Sequence, residues 1–332
     1  MHADETNLSL EFLAVVEQAA IASARTMGRG DAHAADTAAV EAMRRQLDHV
    51  PIDGTIVIGE GERDDAPMLF IGERVGAARG GSVNGRAYRQ VDIAVDPLEG
   101  TSLCSTGAPD AITVLAAGPG GSLLHAPDLY MEKLIVGSHS KHTVSLDLPV
   151  AENLAAVARG LERKVSDLVV VVLDRPRHAT LIDDIRATGA RVRLIADGDI
   201  AAGIAAAVSG SGVHAVMGTG AAPEGVITAA AMRCLGGDIQ GRLVVRNADE
   251  EARYAAMGIT DLKKVYTASD LATGDDLIFA ATGVTDGTLM KGVRFFGDGI
   301  RTSSLVMQTA PPVVRFIDTI HVRSNSEIAI RF

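Results

Sequence analysis

Four carboxylates fall within six residues at Glu60, Glu62, Asp64 and Asp65. A second acidic element, Asp96-Pro97-Leu98-Glu99-Gly100-Thr101, follows the apolar run Val91 to Val95. A turn made by Pro97 and Gly100 can fold Asp96, the Leu98 carbonyl and Glu99 around one point. Hard divalent cations take oxygen donors of this kind. Carboxylates held this close repel one another unless a cation neutralises them. A third acid, Glu224, stands in Gly220-Ala221-Ala222-Pro223-Glu224-Gly225, where a strand end opens a helix. That position suits a capping carboxylate or an anion site. An isolated acidic run is usually a solvated face. Three acidic strand ends in one chain point instead to a divalent-metal site.

The complementary chemistry lies further along. Asp174-Arg175-Pro176-Arg177-His178 follows the run Leu168 to Leu173, and two arginines at a strand end can grip phosphate bidentately. Asp197-Gly198-Asp199 follows the next strand, where a glycine permits close approach and two acids can accept from sugar hydroxyls. Tyr130 and Lys133 are a weaker signal, since a lone tyrosine is more often packing. Metal-binding acids with a basic strand end and hydroxyl acceptors describe metal-assisted hydrolysis of a phosphorylated polyol.

Positioning these groups needs an α/β framework. Helices are expected over Leu8–Met27 and Asp36–His49, the second with Asp36 as N-cap. Strands are expected over Thr55–Ile58, Gln90–Val95 and Ala111–Ala117, with the chain turning at Pro97. From about residue 160 to 240, strand and helix alternate, which argues for a parallel sheet covered on both faces. Strands follow at Leu277–Ala281 and within Thr309–Val322. The expected division is an N-terminal metal-binding subdomain, 1–150, and a C-terminal subdomain, 151–332, carrying substrate-binding strand ends.

Composition narrows the rest. The 332 residues are 47% hydrophobic and carry a formal charge of −11, so a large core is expected and nucleic acid or an anionic membrane surface is not. No apolar run approaches the ~18 residues of a membrane span. Asp4 and Glu5, without a basic segment, argue against a secretory leader. Cys104 and Cys234 make neither a disulfide framework nor a zinc pattern and suit free thiols in a reducing cytoplasm.

Asp96-Pro97-Leu98-Glu99-Gly100-Thr101 resembles the signature of the lithium-sensitive, magnesium-dependent sugar phosphatases. Taken alone, it also suits an inositol-type monophosphatase. Ile52 to Glu62, Ala126 to Leu134, Arg191 to Asp199 and Gly220 to Gly225 are similar to class II fructose-1,6-bisphosphatase, the GlpX type. Gly61 to Leu69, Asp174 to His178, Ala229 to Gly237 and Gly292 to Phe296 are closer to its cyanobacterial branch, which also acts on sedoheptulose 1,7-bisphosphate. The resemblance runs from about residue 8 to residue 320. It implies a layered α/β/α/β/α sugar-phosphatase fold, a cytoplasmic homotetramer, and two or three Mg²⁺ or Mn²⁺ ions on Asp36, Glu60, Asp96, Glu99 and Glu224. It implies substrate contacts at Glu99, Gly100, Thr101, Tyr130, Arg175, Pro176, Arg177, Asp197, Gly198, Asp199 and Glu224. Thr101 would orient the attacking water, with Glu62 or Asp64 assisting. Leu98 replaces a cysteine usual in the cyanobacterial branch, which removes the expected thiol switch. Ala32 replaces a common lysine, and the segment after Arg246 is shorter than in relatives. An inositol-type monophosphatase would need no distal basic site. A non-catalytic sugar-phosphate sensor would keep the arginines but need not keep Thr101 or the whole acid set.

Overall fold

The computed structural model describes residues 8–61, 67–79, 81–83, 86–297 and 299–322. Two long helices open the chain. α1 (Leu8–Ala24) buries Phe12, Val15, Val16 and Ala19; α2 (Ala32–Leu47) lies against it. Asp36 is not the cap of α2. Asp31 is, with its carboxylate accepting from the Ala34 N–H at 2.9 Å. The alanines at 32, 34 and 35 favour helix strongly enough to start it one turn earlier than the apolar spacing suggests.

The first sheet takes β1 (Asp53–Ile58), β2 (Arg74–Val75), β5 (Gln90–Glu99), β6 (Ile112–Pro119), β13 (Ile278–Gly283), β14 (Arg294–Phe296), β15 (Gly299–Thr309) and β16 (Pro312–Val322). β3 (Ser82–Val83) and β4 (Arg86–Ala87) form a separate small hairpin. The order of the first sheet is β14-β15-β13-β6-β5-β1-β2, with β16 on the other edge of β15. Short α3 (Thr101–Thr106) connects β5 to β6.

The second sheet takes β7 (Tyr130–Val136), β8 (Val169–Leu173), β9 (Arg191–Ile195), β10 (Ala215–Ala221), β11 (Asp238–Leu243) and β12 (Val265–Tyr266), in the order β12-β11-β7-β10-β8-β9. It is mixed, not parallel. β8 pairs in parallel with β9 and β10, but β7 runs antiparallel to both β10 and β11. Strand–helix alternation from 160 to 240 sets only the parallel half; β7 enters from earlier in the chain and reverses the rest. Sheet membership also cuts across the 150/151 boundary, since β7 precedes it and β13 to β16 return to the first sheet.

Helices fill the layers. α6 (Asp199–Ala207) and α7 (Ala222–Leu235) lie between the sheets, where Ile200, Ile204, Val226 and Met232 join Val114, Met131 and Phe279 in one core. α1 and α2 cover the outer face of the first sheet. α4 (Val150–Gly160) and α5 (Ala179–Ala187) cover the outer face of the second through Leu154, Val157 and Ile185. The layering is α/β/α/β/α. α8 (Ala248–Ala256) and α9 (Ala268–Leu271) follow β11 and β12.

Candidate active site

The Asp-Pro-Leu-Glu segment stays within β5 but bulges. Asp96 pairs with Val114 and Glu99 with Ile112, so two residues of β5 bow out of the ladder. Pro97 suits that place because it has no N–H to leave unpaired, and its carbonyl accepts from the Thr113 hydroxyl at 2.9 Å. Asp96 Oδ1 accepts from the Leu98 N–H at 3.0 Å, and the Thr101 hydroxyl donates to the Leu98 carbonyl at 3.0 Å. Gly100, at φ +83°, makes the left-handed step that starts α3. The bulge therefore turns both acids toward one side, as the sequence suggested, without ending the strand at Pro97.

Three other elements meet this bulge. β1 runs parallel to β5 and delivers Glu60, whose N–H donates to the Leu69 carbonyl at 3.0 Å. α2 buries Ala35 and Ala39 beside Leu98 and brings Asp36 to the same opening. β10 ends at Ala221, and Pro223 then starts α7 with Glu224 in its first turn. Asp36, Glu60, Asp96, Glu99, Gly100, Thr101, Asp197 and Glu224 line one cleft of about 290 Å³, with Asp128 on its wall.

Asp96, Glu99 and Glu224 each place a carboxylate oxygen within 4.8 Å of the others. Glu99 Oε1 also accepts from the Ile200 N–H at 3.0 Å, tying the first sheet's bulge to the start of α6. Glu224 Oε2 is buried and has no hydrogen-bond partner. Withdrawal from water, reinforced by Asp36 and Asp96, pushes Glu60 up to about 8. Glu224 also rises to about 8: desolvation dominates, Lys133 opposes it, and Asp199 and Asp96 add to it. Asp96 rises to about 6, and Glu99 is driven well above 4.5 by desolvation and then by Asp96, Asp199 and Glu224. Burial also raises Asp36. A group of oxygen donors that resists ionisation, with an unpartnered oxygen among them, fits a hard divalent cation. Nitrogen and sulfur donors favoured by zinc are absent from this set.

Asp197 and Asp199 bracket Gly198, which is left-handed at φ +86°. Asp197 accepts from the Ser102 hydroxyl at 2.9 Å, which joins the loop to α3. Asp199 is buried, and its Oδ2 is taken by the Lys133 ammonium at 2.8 Å. Lys133, a weak signal in the sequence, is a buried cation paired with Asp199.

Tyr130, Arg175, Pro176 and Arg177 do not line the acidic cleft but stand at the neighbouring sheet edge. Tyr130 pairs with Ala221, three residues before Glu224. Arg177 lies over the Tyr130 ring at 4.9 Å and donates from Nε and Nη2 to the Thr219 carbonyl. Pro176 starts a short 3-10 turn ending at His178. His178 Nε2 accepts from the Thr219 N–H at 2.8 Å, so Nδ1 carries the proton given to the Leu173 carbonyl at 2.8 Å. That brace joins β8 to β10 beneath Arg177. Arg175 donates to its own neighbour, the Asp174 carbonyl, and not to Tyr130's cluster. Glu62 and Asp64 lie outside the described residues. Arg246, also stacked on Tyr130 at 4.7 Å, was missed. Its only sequence signal is its position three residues beyond β11.

The family model for bacterial fructose-1,6-bisphosphatase, glpX-encoded, matches residues 6–321. The chain is 51% identical to the D-fructose 1,6-bisphosphatase class 2/sedoheptulose 1,7-bisphosphatase of Synechococcus sp. (strain JA-3-3Ab), over 97% of this chain and 98% of that protein. Its identity is 50% to the protein of the same description from Synechococcus elongatus, covering 96% and 97%. It is 49% to that of Synechocystis sp. (strain ATCC 27184 / PCC 6803 / Kazusa), covering 98% and 99%.

Proposed function

The chain belongs to the family of bacterial, glpX-encoded fructose-1,6-bisphosphatases, and from that membership we propose that it hydrolyses the 1-phosphate of fructose 1,6-bisphosphate and of sedoheptulose 1,7-bisphosphate. The observation that carries the reading is the buried, unpartnered Glu224 Oε2 inside a cluster of three carboxylates. A carboxylate oxygen deprived of water and protein donors is costly unless it meets a cation.

Asp36, Glu60, Asp96, Glu99 and Glu224 would hold two or three Mg²⁺ or Mn²⁺ ions. When bound, such ions supply a water of lowered pKa and positive charge for the phosphoryl oxygens. The protein does the rest by placement. The Thr101 hydroxyl keeps its proton on the Leu98 carbonyl and offers its lone pairs to the attacking water. Glu62 or Asp64 accepts a proton from that water. The Asp199 oxygen not held by Lys133, together with Asp197, accepts from sugar hydroxyls. Arg177, stacked on Tyr130, and Arg175, two residues before it in the chain, bind the distal phosphate and hold the reacting one in place. A monophosphate has no use for that basic edge, which favours a bisphosphatase over an inositol-type enzyme.

The α/β/α/β/α layering supports a place in the lithium-sensitive phosphatase superfamily. Residues 1–150 supply four of the five metal positions, and 151–332 supply Glu224 and the arginines, which supports a metal-binding and a substrate-binding half. No described helix is long and apolar enough to cross a membrane. A cytoplasmic homotetramer is proposed from family resemblance, and light scattering giving a 34.5 kDa particle refutes the tetramer. The reaction is tested by phosphate release from both bisphosphates with Mg²⁺, with Mn²⁺ and with chelator. Release that persists under chelation, or that is equal on a sugar 1-phosphate lacking a distal phosphate, overturns the reading.

A further inference from the structure

The carboxyl ends of β8, β10 and β11 share one sheet edge with the start of β7, because β7 is antiparallel to β10 and β11. Ala221 of β10 lies opposite Tyr130, and Leu243 of β11 lies opposite Met131. Arg177 therefore arrives from beyond β8 and Arg246 from beyond β11. Both guanidinium groups rest on the Tyr130 ring, at 4.9 and 4.7 Å from its centroid. Each cation gains from the ring's π-face, but the two still repel each other.

Their other contacts show what each arginine has left to give. Arg177 commits Nε and Nη2 to one neutral acceptor, the Thr219 carbonyl. Among the described residues its charge has no carboxylate partner. Arg246 is held differently. Glu250 Oε1 accepts from its Nε at 2.8 Å and from its Nη2 at 2.5 Å, and Glu250 Oε2 accepts from its backbone N–H at 2.8 Å. Glu250 is itself buried. Among the described residues, neither arginine commits its Nη1 donors.

α8 explains why Arg246 sits there. Glu250 and Tyr254, four residues apart, share one face of α8, and Arg246 stands just before its cap, Asn247, within reach of Glu250. The Tyr254 hydroxyl donates to the Tyr130 carbonyl at 3.2 Å, and Asn247 caps the helix through the Glu250 N–H at 2.9 Å. The Val244 N–H also donates to the Tyr130 carbonyl, at 2.9 Å. The segment 244–254 is thus fastened to Tyr130 by its backbone, its helix and its guanidinium.

We propose that Arg246 is a substrate-binding residue that forms, with Arg177 across Tyr130, a two-guanidinium clamp for the distal phosphate of the bisphosphate. Glu250 is its positioning residue. The proposal rests on the bisphosphatase reading for the identity of the substrate. A phosphate dianion joining the clamp removes the repulsion between the two cations and takes the Nη1 donors that both leave open.

The probe is fructose 6-phosphate, which keeps the distal phosphate and lacks the reacting one. Calorimetry in Mg²⁺ buffer on the full chain compares wild type, Arg246→Gln, Arg246→Lys and Glu250→Gln, with fructose 1-phosphate, which lacks the distal phosphate, as a second probe. Loss of one charge-assisted contact is expected to weaken fructose 6-phosphate by roughly 10- to 100-fold in Arg246→Gln. Arg246→Lys, which keeps the charge without the fork, and Glu250→Gln, which frees the fork, should fall in between. Fructose 1-phosphate should bind all four proteins alike, with melting temperature unchanged. Wild-type affinity for fructose 6-phosphate in Arg246→Gln overturns the clamp. So does an equal loss for both probes, which marks a structural role. If the clamp binds as stated but wild type does not hydrolyse the bisphosphate, the reaction reading falls and the clamp stands.

Discussion

Glu60→Gln isolates the cost of a charge at Glu60, set first by burial and then by repulsion from Asp36 and Asp96. The folded chain holds the Glu60 proton up to about pH 8, against an ordinary value of 4.5. Between those values the native state binds more protons than the unfolded state, so stability falls as pH rises through that window. Below pH 4.5 the contribution is fully present; above pH 8 the loss is complete. At pH 7 the loss, at about 1.36 kcal/mol per unit, amounts to about 3 kcal/mol in the metal-free protein. Glutamine keeps the shape and removes the charge. Metal-free Glu60→Gln should therefore melt roughly 4 °C above metal-free wild type at pH 7, for a chain of this length. The gap should close near pH 5 and widen to pH 8. Adding Mg²⁺ or Mn²⁺ should raise the melting temperature of wild type far more than that of the variant, and turnover should be lost. Thermal melts in chelator and in metal, across pH, read all three effects. A metal-free variant that melts at or below wild type at pH 8, or one that turns over normally, refutes the assignment of Glu60 to a cation site.

Other outcomes follow from other contacts. Arg177→Ala should raise KM for the bisphosphate at least about ten-fold while sparing a sugar 1-phosphate; equal losses on both would leave Arg177 a structural residue. Gly220→Ala should both unfold more easily and lose activity, because a Cβ there collides with Asp199 Oδ2 and crowds the Lys133 ammonium. Breaking that buried ion pair costs about 3–5 kcal/mol, and a melting temperature equal to wild type counts against it. Dithiothreitol and mild oxidants should leave activity unchanged. Cys104 is buried with its thiol on the Ser23 carbonyl, burial raises it, and Cys234 is pushed up to about 12. A reversible response lost in Cys104→Ser would contradict this.

Much of the framework was legible because its signals are local. The unbroken Val169–Leu173 run, the Gly236 stop of α7 and the apolar face of α1 each appear near their expected places. The errors share a cause. The Asp36 cap failed because alanine propensity extends a helix beyond its apolar stripe. The all-parallel second sheet failed because strand direction is decided by pairing with β7, whose own sequence, Tyr130 to Val136, carries Glu132 and Lys133 and has little of a buried strand's look. Lys133 is tolerated there because Asp199 neutralises it.

The candidate site divides along the same line. Asp96 and Glu99 are legible as a pair because one bulge places both, and the bulge is written in consecutive residues. That Glu60, Asp36 and Glu224 share their cleft depends on β1 lying parallel to β5, on α2 burying Ala35 and Ala39, and on β10 ending beside Tyr130. None of these is a local property; motif resemblance supplied them. Arg246 had no such help. Its neighbours suggest an ordinary solvent-exposed helix start, with three acids, Asp249, Glu250 and Glu251, in the first turn. Only the antiparallel register of β7 with β11 brings it over Tyr130, where one of those acids serves to aim a guanidinium at the same ring that Arg177 occupies.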